Sequence, residues 1–493
     1  MPLNPDQFIS EIWSGIRLLP WHWIAAISHL MLATLAAVHA MLYKRDPRAA
    51  LGWVSVCLFF PFAGFLLYYM FGINRIQTEA QKFVRRQRFK LKIGYERGTS
   101  AKGPDPGPGG PNPQLQSFVN VSNRVTSRSL TAGNSITTLQ NGEQAYPAML
   151  KAINNAVNHV LLVTYLFEAD TVGKAFVAAL IAAQQRGVEV RVIVDGVGEL
   201  YSWPRMSRVL RRAGIRVARF MPPRLLPPSF FINLRNHRKI LVVDGMQGFT
   251  GGMNIGARHL MASTSAHRTA DLHFHLQGPV VAQLGTVFCD DWRFVSGETL
   301  SFRAADHMPH GTAWCRCISD GPNEDLDKIS LVMMGAISAA QQTITIITPY
   351  FLPSREMIAS LQSAALRGVD VAIILPKKSN LRYIDWATRN LLGELLMHEV
   401  KIYYQPPPFA HTKLFVVDSA YAHIGSANLD PRSLRLNFEL NLEIIGTEAL
   451  TPMVEYIREI RRHAIAVTLK EVDERTLPVR IRDAACWLFL PYL

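Results

Sequence analysis

Two stretches of this chain, NHRKILVVDGMQGFTGGMN and AHTKLFVVDSAYAHIGSAN, carry the same polar residues at the same spacing. The first sets His237, Lys239 and Asp244 in a His-x-Lys-x-x-x-x-Asp pattern, and the second repeats it with His411, Lys413 and Asp418. The context repeats as well. An asparagine stands ten residues after each aspartate, Asn254 and Asn428, behind Gly251-Gly252 in one copy and Gly425-Ser426 in the other. Matched spacing over this length excludes coincidence, so the chain must build one kind of site twice.

Each motif reads as a strand. In HRKILVVD and HTKLFVVD, residues i and i+2 share a face, which brings the histidine and lysine out on one side. That pair suits an anionic substrate: lysine supplies positive charge for phosphate oxygens, and a neutral imidazole attacks or carries a proton near pH 7. Two such pairs facing each other provide one histidine to attack phosphorus and one to protonate the leaving oxygen. Lys239, Lys413, Asn254 and Asn428 then hold the charge that builds on the phosphoryl oxygens. Asp244 and Asp418 close each motif and read as its structural supports. No metal or cofactor is required, and the cysteines and histidines lack zinc-ligand spacing.

Around the motifs the repeat extends to secondary structure. RGVEVRVIVDG from Arg186 and RGVDVAIILPK from Arg367 each follow a helical stretch and open a Val/Ile-rich strand, and HVLLVTYLFEAD and TITIITPYFLP are equivalent strands ending in Tyr165 and Tyr350. The expected fold class is therefore α/β, with two similar units at 118–310 and 311–493, mixed sheets and helices on the outer faces. A Pro/Gly-rich segment, GPDPGPGGPNP, marks residues 98–117 as a linker.

Residues 1–97 differ in kind. Two apolar runs, roughly 22–43 and 50–71, each have the length needed to cross a ~30 Å hydrocarbon layer and are joined by KRDPR, which predicts a transmembrane hairpin. Asp6 and Glu11 ahead of the first run, and a second run directly after it, argue against a cleaved leader. Basic residues flank both ends of the second run, with Lys44, Arg45 and Arg48 before it and six Lys or Arg between Arg75 and Lys90 after it. The larger cluster, with an even number of spans, places both termini and the catalytic halves in the cytoplasm. A formal charge of +14 calls for anionic partners, and its concentration beside the apolar runs favours acidic lipid over nucleic acid.

The duplicated motif resembles that of the phospholipase D superfamily. Within it, the chain is similar to the bacterial cardiolipin synthases over nearly its whole length. That likeness is carried by Arg45, Pro47, Trp53, Pro61, Gly64, Tyr69 and Gly72 at the second apolar run and by GSANLDPRSLRLNFELN after the second motif. The resemblance implies two halves about a pseudo-two-fold axis, His237 as nucleophile forming a phosphohistidine, and His411 as general acid. It further implies later carboxylates orienting the histidines, for which Asp271 and Glu439 are the candidates, and Gly252 and Ser426 as supports of phosphate binding. The implied reaction joins two phosphatidylglycerol molecules at the bacterial inner membrane into cardiolipin and glycerol. Hydrolysis of the same lipid, transfer to another acceptor, or cleavage of a nucleic-acid phosphodiester would use the same motifs. The chain departs from the family's usual pattern at GARHL, after Gly-Gly-Met-Asn-Ile, and at Asn380. Oligomeric state is not legible in the sequence.

Overall fold

The computed structural model describes residues 20–44, 47–72, 113–126, 128–223, 234–263, 267–302, 309–321 and 327–488. The stretch from 73 to 112, with the basic cluster and most of the Pro/Gly-rich segment, lies outside them. Contacts divide the chain into two units, Met1–Gln87 and Arg88–Leu493.

In the first unit, helix Trp21–Tyr43 covers the first expected span. Its 23 residues measure about 34 Å, enough to cross a bilayer, and it is the one helix of that length and apolarity among the described residues. The second expected span, 50–71, is not one helix. Helix Pro47–Phe59 stops, the chain turns at Pro61, and a short helix Ala63–Leu67 continues into a π-turn at Tyr68–Gly72. Proline is the cause: it has no N–H to donate and its ring clashes with the carbonyl one turn back.

The returning segment runs back along the helix it follows. A Cβ on Gly64 would stand 2.1 Å from the Val56 carbonyl oxygen, so only glycine permits this approach. The Tyr68 ring packs 5.4 Å from that of Trp53, and its hydroxyl lies 2.7 Å from His39 Nδ1. Ala33, Ala36 and Ala40 bury themselves against Trp53, Cys57 and Tyr68, small side chains letting the backbones close together. The turn itself is apolar, with Phe59 78% exposed. Tyr68 is thereby brought back beside His39, near the Tyr43 end of the long helix.

The second unit is built on a duplicated sheet. Its first half contributes β1 (Thr131–Gln140), β2 (His159–Thr164), β3 (Glu189–Asp195), β4 (Arg216–Phe220), β5 (Ile240–Val243), β6 (Gln247–Gly251), β7 (Thr269–Ala270) and β8 (Leu272–Gln277). The second half adds β9 (Ala313–Asp320), β10 (Thr343–Ile347), β11 (Asp370–Pro376), β12 (Lys401–Gln405), β13 (Phe409–Ala410), β14 (Leu414–Val417), β15 (Tyr421–Gly425), β16 (Glu439–Ile445) and β17 (Ile465–Ala466). Outward from the centre, one half runs β1-β8-β6-β5-β2-β3-β4 and the other β9-β16-β15-β14-β10-β11-β12, with β17 at the edge. Position for position the two orders match.

Each half is mixed for a definite reason. β2 and β3 are parallel, as are β10 and β11, so each pair needs a crossover, supplied by helices Thr171–Gln185 and Arg355–Leu366. Both helices are capped at their start: Asp170 accepts from the Gly173 N–H, and Ser354 from that of Met357. The motif strands β5 and β14 pair antiparallel with β2 and β10. Hydrophobic clusters fill each half separately.

The two halves are continuous with each other and with the helix ahead of them. β1 pairs with β9, with Thr131 opposite Cys315, so the two sheets are one sheet of 15 strands and the halves form a single compact unit. Helix Pro113–Thr126 begins inside the expected linker and belongs by packing to the second half. Phe118 and Val119 join that half's core, where Phe118 meets Tyr421 edge-on at 4.6 Å, and Ser122 donates to Glu443.

Candidate active site

The motif strands end where the two halves face each other. His237 and His411 stand just before β5 and β14, and their backbones are tied to the opposite half. The His237 N–H donates to the Phe438 carbonyl at 2.9 Å, and the His411 N–H to the Ala270 carbonyl at 2.8 Å. These crossed ties set each imidazole beside a carboxylate from the other half. His237 Nδ1 lies 3.2 Å from Glu439 Oε1, and His411 Nδ1 lies 2.8 Å from Asp271 Oδ2. Both carboxylates are buried, and both histidines line one cavity of about 1070 Å³ together with Lys239, Asn254 and Asn428.

With a carboxylate beside Nδ1, hydrogen-bonded at His411 and 3.2 Å away at His237, the tautomer that keeps Nε2 unprotonated is favoured at each ring. Burial, and then Lys239, press the His237 pKa down to about 4, against the pull of Glu439. His411 is held well below the usual histidine range by burial and by Lys413. Both rings are thus neutral at pH 7, the state a nucleophile needs. The lysines are depressed too: burial brings Lys239 to about 8 and Lys413 to about 7, although carboxylates including Glu439 and Asp271 favour their charged forms. Burial pushes Asp271 up, with Lys413 and His259 opposing. Burial also acts upward on Glu439, but His237 and Lys239 outweigh it and leave its pKa lowered.

The lysines lean on their own motifs. Lys239 Nζ donates to the His237 carbonyl at 2.6 Å, and Lys413 Nζ sits 3.0 Å from His411 Nε2. Asn254 accepts from the Leu166 N–H, and Asn428 donates to Ser433, leaving the Asn428 Oδ1 buried without a partner.

Lys413, like the two carboxylates, does not line the cavity and acts on it through His411, and four further candidates lie away from it. Asp244 and Asp418 do not line the cavity: five residues of extended chain carry each about 16 Å from its lysine, to the far end of the strand. There Asp244 accepts from the N–H groups of Val157, Asn158 and His159 at 2.7–2.9 Å, and Asp418 from those of Gln341, Gln342 and Thr343 at 2.8 Å. Gly252 and Ser426 do not line it either. They serve the carboxylates instead: Ser426 Oγ donates to Glu439 Oε2 at 2.6 Å, and a Cβ on Gly252 would stand 2.4 Å from Asp271 Oδ2.

Other cavity residues carry a signal in the sequence. Tyr165 packs edge-on against His237 at 4.6 Å, and Tyr350 lies 6.5 Å from His411, so the tyrosines ending the two equivalent strands wall the two rings. Arg258 and Arg432 each follow their asparagine by four positions and both line the cavity. Arg258 is paired with Glu168. Asn437, which donates to Glu439 Oε1, has no such counterpart and no repeat marks it.

The profile of the family described as cardiolipin synthase, PLD-like domain matches this chain twice, at residues 149–292 and 333–461. The chain belongs to this family. A profile described as phospholipase D-nuclease N-terminal matches residues 31–72. The cardiolipin synthase of Geobacillus kaustophilus is 30% identical over 98% of this chain and 95% of its own length. The major cardiolipin synthase of Bacillus subtilis is 32% identical over 93% and 96%. Among solved structures, the phosphatidylserine synthase of Haemophilus influenzae superposes with a TM-score of 0.56 at 15% identity, covering 78% of this chain and all of that one, a likeness of fold. The two family matches coincide with the two halves of the sheet, so the chain is a phosphatidyltransferase-type enzyme whose repeat is the family's own.

Proposed function

We propose that this protein is a cardiolipin synthase that joins two phosphatidylglycerol molecules through a phosphohistidine at His237. The observation that carries the reading is the crossed pairing of two histidines with two buried carboxylates in one cavity, within a chain of the cardiolipin synthase family. His237 Nε2 attacks the donor phosphorus, the bond to the headgroup glycerol breaks, and His411 gives that oxygen a proton. A hydroxyl of the second phosphatidylglycerol then loses its proton to His411 and attacks the same phosphorus, releasing His237. The proton on His411 is conserved over the cycle. A phosphate anion entering the site raises the pKa of His411, so the acid is formed when substrate is present. Lys239, Lys413, Asn254 and Asn428 stabilise the charge on the phosphoryl oxygens.

The N-terminal unit fits membrane anchorage, with catalytic halves on the cytoplasmic face of the inner membrane. Helix Pro47–Phe59 returns beside Trp21–Tyr43 as the second arm of a hairpin, which supports the multi-pass arrangement expected from the sequence.

Purified protein in vesicles of phosphatidylglycerol alone tests the reaction. Cardiolipin and free glycerol in equal amounts are expected; phosphatidic acid without cardiolipin would make it a hydrolase.

A further inference from the structure

From Leu200 to Val243 the chain holds no Asp or Glu and ten Lys or Arg residues. The first part of this stretch folds as helix Met206–Arg212 and β4, around a recess of about 270 Å³ lined by Arg205, Ser207, Arg208, Arg211, Arg212 and Arg219. Acidic groups near it are already engaged: buried Glu199 pairs with Arg219 and accepts from Ser207, and Glu298 pairs with Arg216 and Arg191. Arg208, Arg211 and Arg212 stand exposed on the helix.

Beside the arginines the surface is aromatic. Trp203 is 76% exposed and Tyr201 69%, and the Arg208 guanidinium lies 6.0 Å from the Trp203 ring. Neither ring fills a core. Tyr201 also lines the reaction cavity, which puts this patch at the cavity's mouth. The duplicated fold supplies a control. The stretch after β11, SNLRYIDWATRNLLGELL, folds as the long helix Arg382–Leu396 and carries Asp385 and Glu394. The architecture therefore does not require the patch.

Exposed Trp and Tyr beside clustered arginine are the groups that settle where water meets lipid: aromatic rings lie at headgroup depth and cations meet anionic phosphates. We propose that Tyr201–Arg212 is a docking surface for the anionic face of a lipid bilayer, setting the mouth of the reaction cavity against its substrate. This rests on the lipid-transfer reading above. The charge complementarity is with phosphodiester headgroups, and the recess has room for one.

The test compares two forms of one substrate, using the full chain and the triple variant Arg208→Gln/Arg211→Gln/Arg212→Gln. In neutral detergent, on short-chain phosphatidylglycerol below its micellar concentration, the variant should match wild type. In vesicles of phosphatidylglycerol and phosphatidylcholine at low salt, its kcat/KM should fall at least about tenfold, since each arginine near an anionic surface strengthens association about fivefold. The deficit should shrink as salt rises. The Lys/Lys/Lys variant should keep the vesicle rate. Equal vesicle rates for the Gln variant and wild type would overturn the proposal, as would equal losses on both substrates. Loss of nucleic-acid retention by the Gln variant with its vesicle rate intact would overturn it in favour of a nucleic-acid face. No turnover by wild type on either form would instead strike the lipid-transfer reading itself.

Discussion

His411 draws its carboxylate from the other half of the chain: its Nδ1 lies 2.8 Å from Asp271 Oδ2. His237 does the same with Glu439. Neither half holds a complete reacting histidine, so the site exists only when the two sheets are joined.

The crossing predicts crossed effects. Glu439→Gln should block phosphohistidine formation at His237, and Asp271→Asn should slow proton transfer at His411, each by about 10²- to 10⁴-fold in kcat with the fold intact. Quenched-flow labelling with radioactive phosphatidylglycerol separates the steps. Impaired labelling of His237 in Asp271→Asn, with Glu439→Gln labelling normally, would contradict the pairing.

Protonation sets the pH profile. Protonating His237, at about 4 in the empty enzyme, removes the nucleophile, so kcat/KM should fall below about pH 5. On the alkaline side it should fall first as His411 loses the proton it donates, and further as Lys413 and then Lys239 lose their charge, at about 7 and 8. A rate rising steadily from pH 6 to 10 would contradict this.

Lys413 also predicts a trade of stability for function. Its folded pKa of about 7 lies below the ordinary lysine value of 10.5, so the unfolded chain binds more protons between those values, and stability rises with pH across that window. Lys413→Met should therefore abolish turnover yet raise Tm, by about 3 °C or more below pH 7, with the gain fading from pH 7 to 10.5. Calorimetry across that range checks it.

Gly252 and Ser426 occupy equivalent positions and are not interchangeable. A side chain at 252 would meet the Asp271 carboxylate at 2.4 Å, so Gly252→Ser should cost about 10² in kcat even though serine is the residue found in the other half. Asp418→Ala, by contrast, removes the acceptor for three N–H groups and should cost about 2 kcal/mol of stability while kcat per folded molecule persists. Urea denaturation read alongside single-turnover rates distinguishes the two.

A hairpin that crosses twice would put both ends of the chain on the cytoplasmic face. Tags ahead of Trp21 and after Leu493 should then both resist protease added to intact spheroplasts. Cleavage of the tag ahead of Trp21 would contradict the two-span hairpin.

Much of this was legible because duplication makes a weak signal strong. The 174-residue offset that relates His237 to His411 also relates Asn254 to Asn428 and Arg258 to Arg432, and so it outlines the cavity. It fails at the carboxylates, where Asp271 follows its asparagine by 17 positions and Glu439 by 11, and no local pattern states which histidine each one serves. That depends on strands brought together across the centre of the sheet. The turn at Pro61 was not legible for the opposite reason: hydropathy is continuous through LFFPFAGF, and the break in helix there is set by the proline and the Gly64 contact.

The central claim is that two imidazoles act on one phosphorus. Mass spectrometry of acid-labile phosphate on protein quenched during turnover, combined with product analysis in His237→Ala and His411→Ala, addresses it directly. The account predicts a phosphatidyl adduct at His237 in wild type, none in His237→Ala, and no cardiolipin from either variant. Full cardiolipin synthesis by one of those variants would contradict it.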